Sequence, residues 1–247
     1  MIGLRVVWSH RRRGTLGFLN HWNFVTMNRI QRLACTAVAA ASILCVATAA
    51  QASLILNGSF EANSAGGTVF NPGNAAFNAL VSNVTAYGAR EGIDLQTVGS
   101  GYGLAPIDGK WKVSPASGAG GTAEEFSMTL AGPLVAGNHY DLSFYIERLE
   151  CCGFDGGTVN VGLSTSATSF GTLVTSATAP SSGWLLASAN FVAPNAGSFL
   201  TVQVTNAMSS WVGLDNFVLS PVPEPATFAL MLAGLAAIGV VARRRKT

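Results

Sequence analysis

The stretch HYDLSFYIERL, residues 139–149, alternates without a break: Tyr140, Leu142, Phe144 and Ile146 fall on one side, and Asp141, Ser143, Tyr145 and Glu147 on the other. A period of two marks a strand with one buried face. EFSMTL (125–130) repeats it with Phe126, Met128 and Leu130, TVNVGLS (158–164) with Val159, Val161 and Leu163, and FLTVQVT (199–205) with Leu200, Val202 and Val204. Turn-forming runs separate these stretches, among them Ala131, Gly132 and Pro133, then Asp155, Gly156 and Gly157, then Pro194, Asn195 and Gly197. No helical period occurs between Ser53 and Ser220. Short strands at this spacing predict one all-β domain over residues 53–220, an antiparallel β-sandwich with a jelly roll as its arrangement.

The chain on either side of that domain has a different character. From Met27, MNRIQRLACTAVAAASILCVATAAQAS places basic Arg29 and Arg32 ahead of an apolar stretch, 33–49. Ala50 and Ala52 then supply the small residues that signal peptidase requires. Residues 27–52 read as a helical signal peptide cut before Ser53. Residues 1–26 show no periodicity and read as unstructured upstream mistranslation.

At the other end, Val222, Pro223, Glu224 and Pro225 precede an uncharged run of 17 residues, 226–242, and the basic cluster Arg243, Arg244, Arg245 and Lys246. As a helix the run reaches about 26 Å, a marginal membrane span whose basic flank stays on the cytoplasmic side. The prolines hold the preceding peptide extended and accessible. Taken in order, residues 221–247 resemble the PEP-CTERM sorting signal of exosortase-containing bacteria. The resemblance implies a precursor held in the inner membrane by helix 226–242, recognition by exosortase near residues 222–225, and a product at the cell surface or outside the cell.

Removing both ends changes the charge. The whole chain carries a formal +2, but residues 53–222 hold four basic residues against eleven acidic ones, a net charge near −7. Such a domain argues against nucleic acid as a partner. Of the four cysteines, only the adjacent pair Cys151 and Cys152 remains. In an oxidising compartment that pair closes on itself or bridges two chains.

Further motifs run in a recognisable order: LILNGSFE (54–61), PIDGKWKV (106–113), then 134–146, then 182–205, and GLDNFVLS (213–220). This order resembles the galactose-binding-like jelly rolls of carbohydrate-binding modules and secreted bacterial surface proteins. The departure is 62–92, rich in Asn, Ala and Gly. The resemblance implies a structural calcium shared by Glu61 and Asp215. The alternative is that both carboxylates accept backbone N–H bonds in turns. No other cofactor is expected.

Catalysis finds little support. Residues 53–222 contain one histidine, His139, in a turn; a Ser-His-Asp site would have to use it, an exposed turn residue is the better reading, and one His with two adjacent Cys gives no usual zinc-ligand spacing. Glu124 and Glu125 read as a solvated strand entry. Tyr87 and Tyr102 in Gly-rich loops, and Trp111 and Trp184 beside turns, are the candidates for sugar contact, with core packing the alternative for the tryptophans. The reading that results is a non-catalytic, exported cell-surface or matrix protein, associated with extracellular polysaccharide. A carbohydrate-binding module is the alternative, and a polysaccharide hydrolase a more distant one.

Overall fold

The computed structural model describes residues 52–118, 121–205 and 209–222, together with 231–232, 234–236, 238–239 and 243. Two antiparallel sheets face one another. The first runs β1 (Val84–Ala86), β5 (Glu125–Thr129), β12 (Phe199–Thr205), β9 (Thr158–Ser164), β10 (Thr172–Thr178). The second runs β11 (Trp184–Val192), β6 (His139–Arg148), β13 (Ser210–Pro221), β3 (Trp111–Ser114), β2 (Asp94–Thr97), with β4 (Ala116–Ser117) also on β13. A hairpin of β7 (Glu150–Cys151) and β8 (Phe154–Asp155) stands apart.

The alternation at 139–149 explains this packing. Tyr140, Leu142, Phe144 and Ile146 of β6 meet Phe126, Met128, Val161 and Val202 of the opposing sheet in one core, all nearly inaccessible. Burying apolar surface stabilises by roughly 25 cal/mol per Å². Phe217 stacks on Phe144 at 4.8 Å, and Phe60 packs edge-on against both Phe217 and Phe126. The opening motif is stitched between the sheets: Leu54 N–H donates to Leu219 O and Leu56 N–H to Thr129 O. Gly58 lies so close to β13 that a Cβ there would come within 2.0 Å of Phe217 O.

Two expectations need correction. The stretch 62–92 contains a helix, α1 (Asn74–Leu80), where no helical period was read. Seven residues make two turns, too few to show a repeat, and only Phe77 is buried. Asparagines bind it in place: Asn78 both donates to Ala86 O and accepts Ala86 N–H, and Asn74 Nδ2 donates to Gly88 O. The second concerns the polar side of β6. Glu147 was placed on the exposed face, yet it is buried, because residues 98–110 cover that end of the second sheet.

Among the described residues, no helix is long and apolar enough to cross a membrane, and of the run 226–242 expected to span one, residues 226–230, 233, 237 and 240–242 lie outside the described residues. Residues 223–230 lie outside the described residues, as do 1–51 with the expected upstream segment and all of the signal peptide but Ala52.

Candidate functional site

The outer face of the second sheet ends in a cup of about 230 Å³. Its floor is Ser114, Ala116 and Trp211, set side by side because Trp211 of β13 pairs with Ala116 of β4. Trp211 Nε1 donates to Ser114 O at 3.3 Å, which fixes the indole.

One wall comes from Phe70, Asn71, Gly92 and Asp94. Asn71 adopts φ 48, and its N–H donates to Asp94 Oδ1 at 2.7 Å. Burial pushes the Asp94 carboxyl up to about 6, with the Asn71 bond opposing it. Beside it sits Glu124, whose Oε2 accepts Ala116 N–H at 2.8 Å and whose Oε1 accepts Arg90 Nε–H at 3.2 Å. Burial pushes Glu124 to about 7, against the Ala116 bond and the Arg90 charge and with help from the Asp94 charge. Glu124 is 1% exposed, not the solvated strand entry that its sequence suggested. Gly92 is required here, since a Cβ would approach Glu124 Oε1 to 3.0 Å.

The opposite wall is Tyr102, placed by a buried ion pair. Lys112 Nζ donates to Glu147 Oε1 at 2.5 Å and to the carbonyls of Tyr102 at 3.1 Å and Leu104 at 2.8 Å, while Leu104 N–H donates to Glu147 Oε2. Tyr102 then meets Trp211 at 5.3 Å and Phe70 at 5.6 Å, both edge to face. The hairpin β7–β8 closes the rim with Phe154, under the Arg90 guanidinium at 5.2 Å, and with Cys151 and Cys152, which are joined to each other. Ser114 Oγ is buried in this cup with no hydrogen-bond partner among the described residues.

Of the four aromatic residues singled out in the sequence, only Tyr102 lines the cup. Trp111 packs against the main core. Trp184 donates from Nε1 to Ala105 O and lies 5.8 Å from Lys112 Nζ, so it holds the same loop as Glu147 does. Tyr87 is half-buried, with a hydroxyl that lacks a partner among the described residues, and burial followed by the Glu125 charge pushes its pKa up. Phe70, Asp94 and Arg90 were not singled out, since they lie in segments without periodicity.

Glu61 and Asp215 converge on one loop. Glu61 Oε1 accepts the N–H groups of Lys110 and Trp111, each at 2.7 Å, and Asp215 Oδ2 accepts those of Ile107 and Asp108. Asp215 Oδ1 takes Asn216 N–H as well. Glu61 Oε1 and both Asp215 oxygens are thus engaged by backbone donors, and among the described residues no group of three or more His, Cys, Asp or Glu could hold a metal. His139 is exposed at the start of β6. Ser53 Oγ accepts Leu219 N–H and Ile55 N–H, and Val222 N–H donates to His139 O, so the sandwich extends to both expected processing points.

Two layers of antiparallel strands make a β-sandwich with an aromatic, acid-lined cup on the outer face of one sheet. Residues 221–246 match the family model described as the PEP-CTERM protein-sorting motif, which marks an exported, exosortase-processed protein. No curated protein matches the sequence. Among solved structures, the chain is similar to the enzymatically active domain of tailspike protein 4 of bacteriophage CBA120 (11% identity, TM-score 0.42), covering 69% of this chain but only 21% of that one. It is also similar to the CBM22-1 xylan-binding domain of Paenibacillus barcinonensis Xyn10C (16% identity, TM-score 0.41, 71% of this chain and 99% of that one). A third likeness is to TmCBM61 in complex with beta-1,4-galactotriose (18% identity, TM-score 0.39, 70% and 100%).

Proposed function

We propose that this is an exported sugar-binding protein of the cell surface or extracellular matrix, which is sorted by exosortase from an inner-membrane precursor and associates with extracellular polysaccharide. The observation that carries the reading is the cup between Tyr102, Trp211 and Phe70. Sugar rings have apolar C–H faces and polar edges, and they need aromatic walls beside hydrogen-bonding groups. Asp94 and Ser114 stand beside the rings with acceptor and hydroxyl capacity. The cup is smaller than the roughly 300–1,000 Å³ of a drug-sized site, which suits one sugar unit. Such a unit lies in a jelly-roll arrangement of galactose-binding-like type.

Binding is favoured over hydrolysis. Both Glu124 oxygens already accept hydrogen bonds, from Ala116 N–H and Arg90 Nε–H, so the cup offers no second unengaged carboxyl beside Asp94 to act on a glycosidic bond. The test is binding of the full chain to a glycan panel, with Tyr102→Ala as the variant. A loss of about tenfold or more in affinity supports the reading, and unchanged binding removes the cup from it.

A further inference from the structure

The cup holds two carboxylates against one guanidinium, and the guanidinium is engaged: Arg90 Nε binds Glu124 Oε1 while its head lies over the Phe154 ring. Asp94, 5% exposed, forms no ion pair among the described residues. A buried carboxylate without a counter-charge is costly, and a cationic ligand group would relieve that cost. The groups around Asp94 suit one. Tyr102, Trp211 and Phe70 line the same cup as Asp94, and aromatic rings attract ammonium groups. A second and independent observation is Ser114 Oγ, wholly buried, without a hydrogen-bond partner among the described residues, and on the residue paired directly with Asp94 across β2 and β3.

We infer that the cup takes a sugar unit bearing a free amino group, its ammonium directed to Asp94 and its ring against Tyr102 and Trp211. This rests on the sugar-binding reading and names the class of sugar. The acidic balance of residues 53–222 acts in the same direction, since it repels uronate and sulfated chains and attracts a polycationic one. Glu124, neutralised by Arg90, sets the position of the wall, while Asp94 supplies the charge.

The experiment is calorimetric titration of the full chain in mild detergent, at fixed ionic strength, with β-1,4-linked glucosamine hexamer, its fully N-acetylated counterpart, a neutral glucose hexamer and a pentalysine peptide. The inference expects the glucosamine hexamer to bind at least about tenfold tighter than the other three. Asp94→Asn, which keeps the shape, should abolish that preference while its melting curve shows a folded protein. Equal binding of the N-acetylated or neutral hexamer overturns the inference and leaves sugar binding standing. Pentalysine binding as tightly as the glucosamine hexamer overturns it in favour of a peptide amine. Absence of binding by every glycan overturns both readings. A preference that survives in Asp94→Asn overturns the assignment to this carboxylate.

Discussion

Lys112 Nζ lies 2.5 Å from Glu147 Oε1, with both side chains 1% exposed, and the two together hold the backbone that carries Tyr102. Gly213 makes room for the contact, because a Cβ there would come within 2.5 Å of the same oxygen. Breaking a buried pair by removing one partner leaves an uncompensated charge. Glu147→Leu or Lys112→Met alone should therefore cost about 3–5 kcal/mol, and the double variant less than the sum of the two. Denaturant unfolding of the three variants checks this. Singles within about 0.5 kcal/mol of the parent chain would show that the pair does not hold the loop.

Asp94 and Glu124, pushed up to about 6 and about 7, and Asp215, pushed to about 6 by burial, give stability a definite pH dependence. Between roughly pH 4 and their raised values the folded chain holds more protons than the unfolded one, so unfolding free energy falls as pH rises. The melting temperature of the chain without ligand should thus rise from about pH 8 to about pH 5. Asp94→Asn should flatten the profile. A melting temperature that falls over that interval contradicts the burial of these carboxylates.

The strands were legible from residues because alternation depends only on which side chains the core excludes from water: every apolar residue singled out in the four alternating stretches is buried. The cup was legible only at Tyr102. Phe70, Arg90 and Asp94 come from segments that carry no period, and their meeting depends on asparagine side chains such as Asn78 and on the turn at Asn71. Glu124 and Glu147 misled because a carboxylate in an alternating strand reads as solvated, and nothing local announces the loop or the partner cation that covers it.

Glu61 and Asp215 hold residues 107–111 through backbone N–H groups. The melting curve is accordingly expected to be the same in excess chelator and in millimolar calcium, while Glu61→Ala should cost no more than about 1 kcal/mol, because water reaches the freed N–H groups of Lys110 and Trp111. A melting temperature that climbs with calcium concentration would instead restore the shared ion suggested by the motif order.

Cys151 and Cys152, closed on each other at the rim of the cup, leave no thiol free in the folded domain. Exported protein should run as a single chain on non-reducing gels and resist alkylation until reduced. Reduction should weaken glycan binding severalfold, because a polarisable apolar wall becomes two mobile thiols. A dimer that reductant dissolves would mean that the cysteines bridge chains.

Replacing Pro223, Glu224 and Pro225 by alanine should leave export intact and block tail removal, with the precursor collecting in the membrane of an exosortase-containing host. Normal processing of that variant would detach sorting from the motif.

The most direct measurement is a crystal structure of the protein with a bound amino-sugar oligomer. The account predicts one ring seated against Tyr102 and Trp211, with its nitrogen within hydrogen-bond distance of Asp94. A sugar lying instead in the polar groove of Asp141, Ser188 and Asn190, a space of about 300 Å³ on the same sheet, would contradict it.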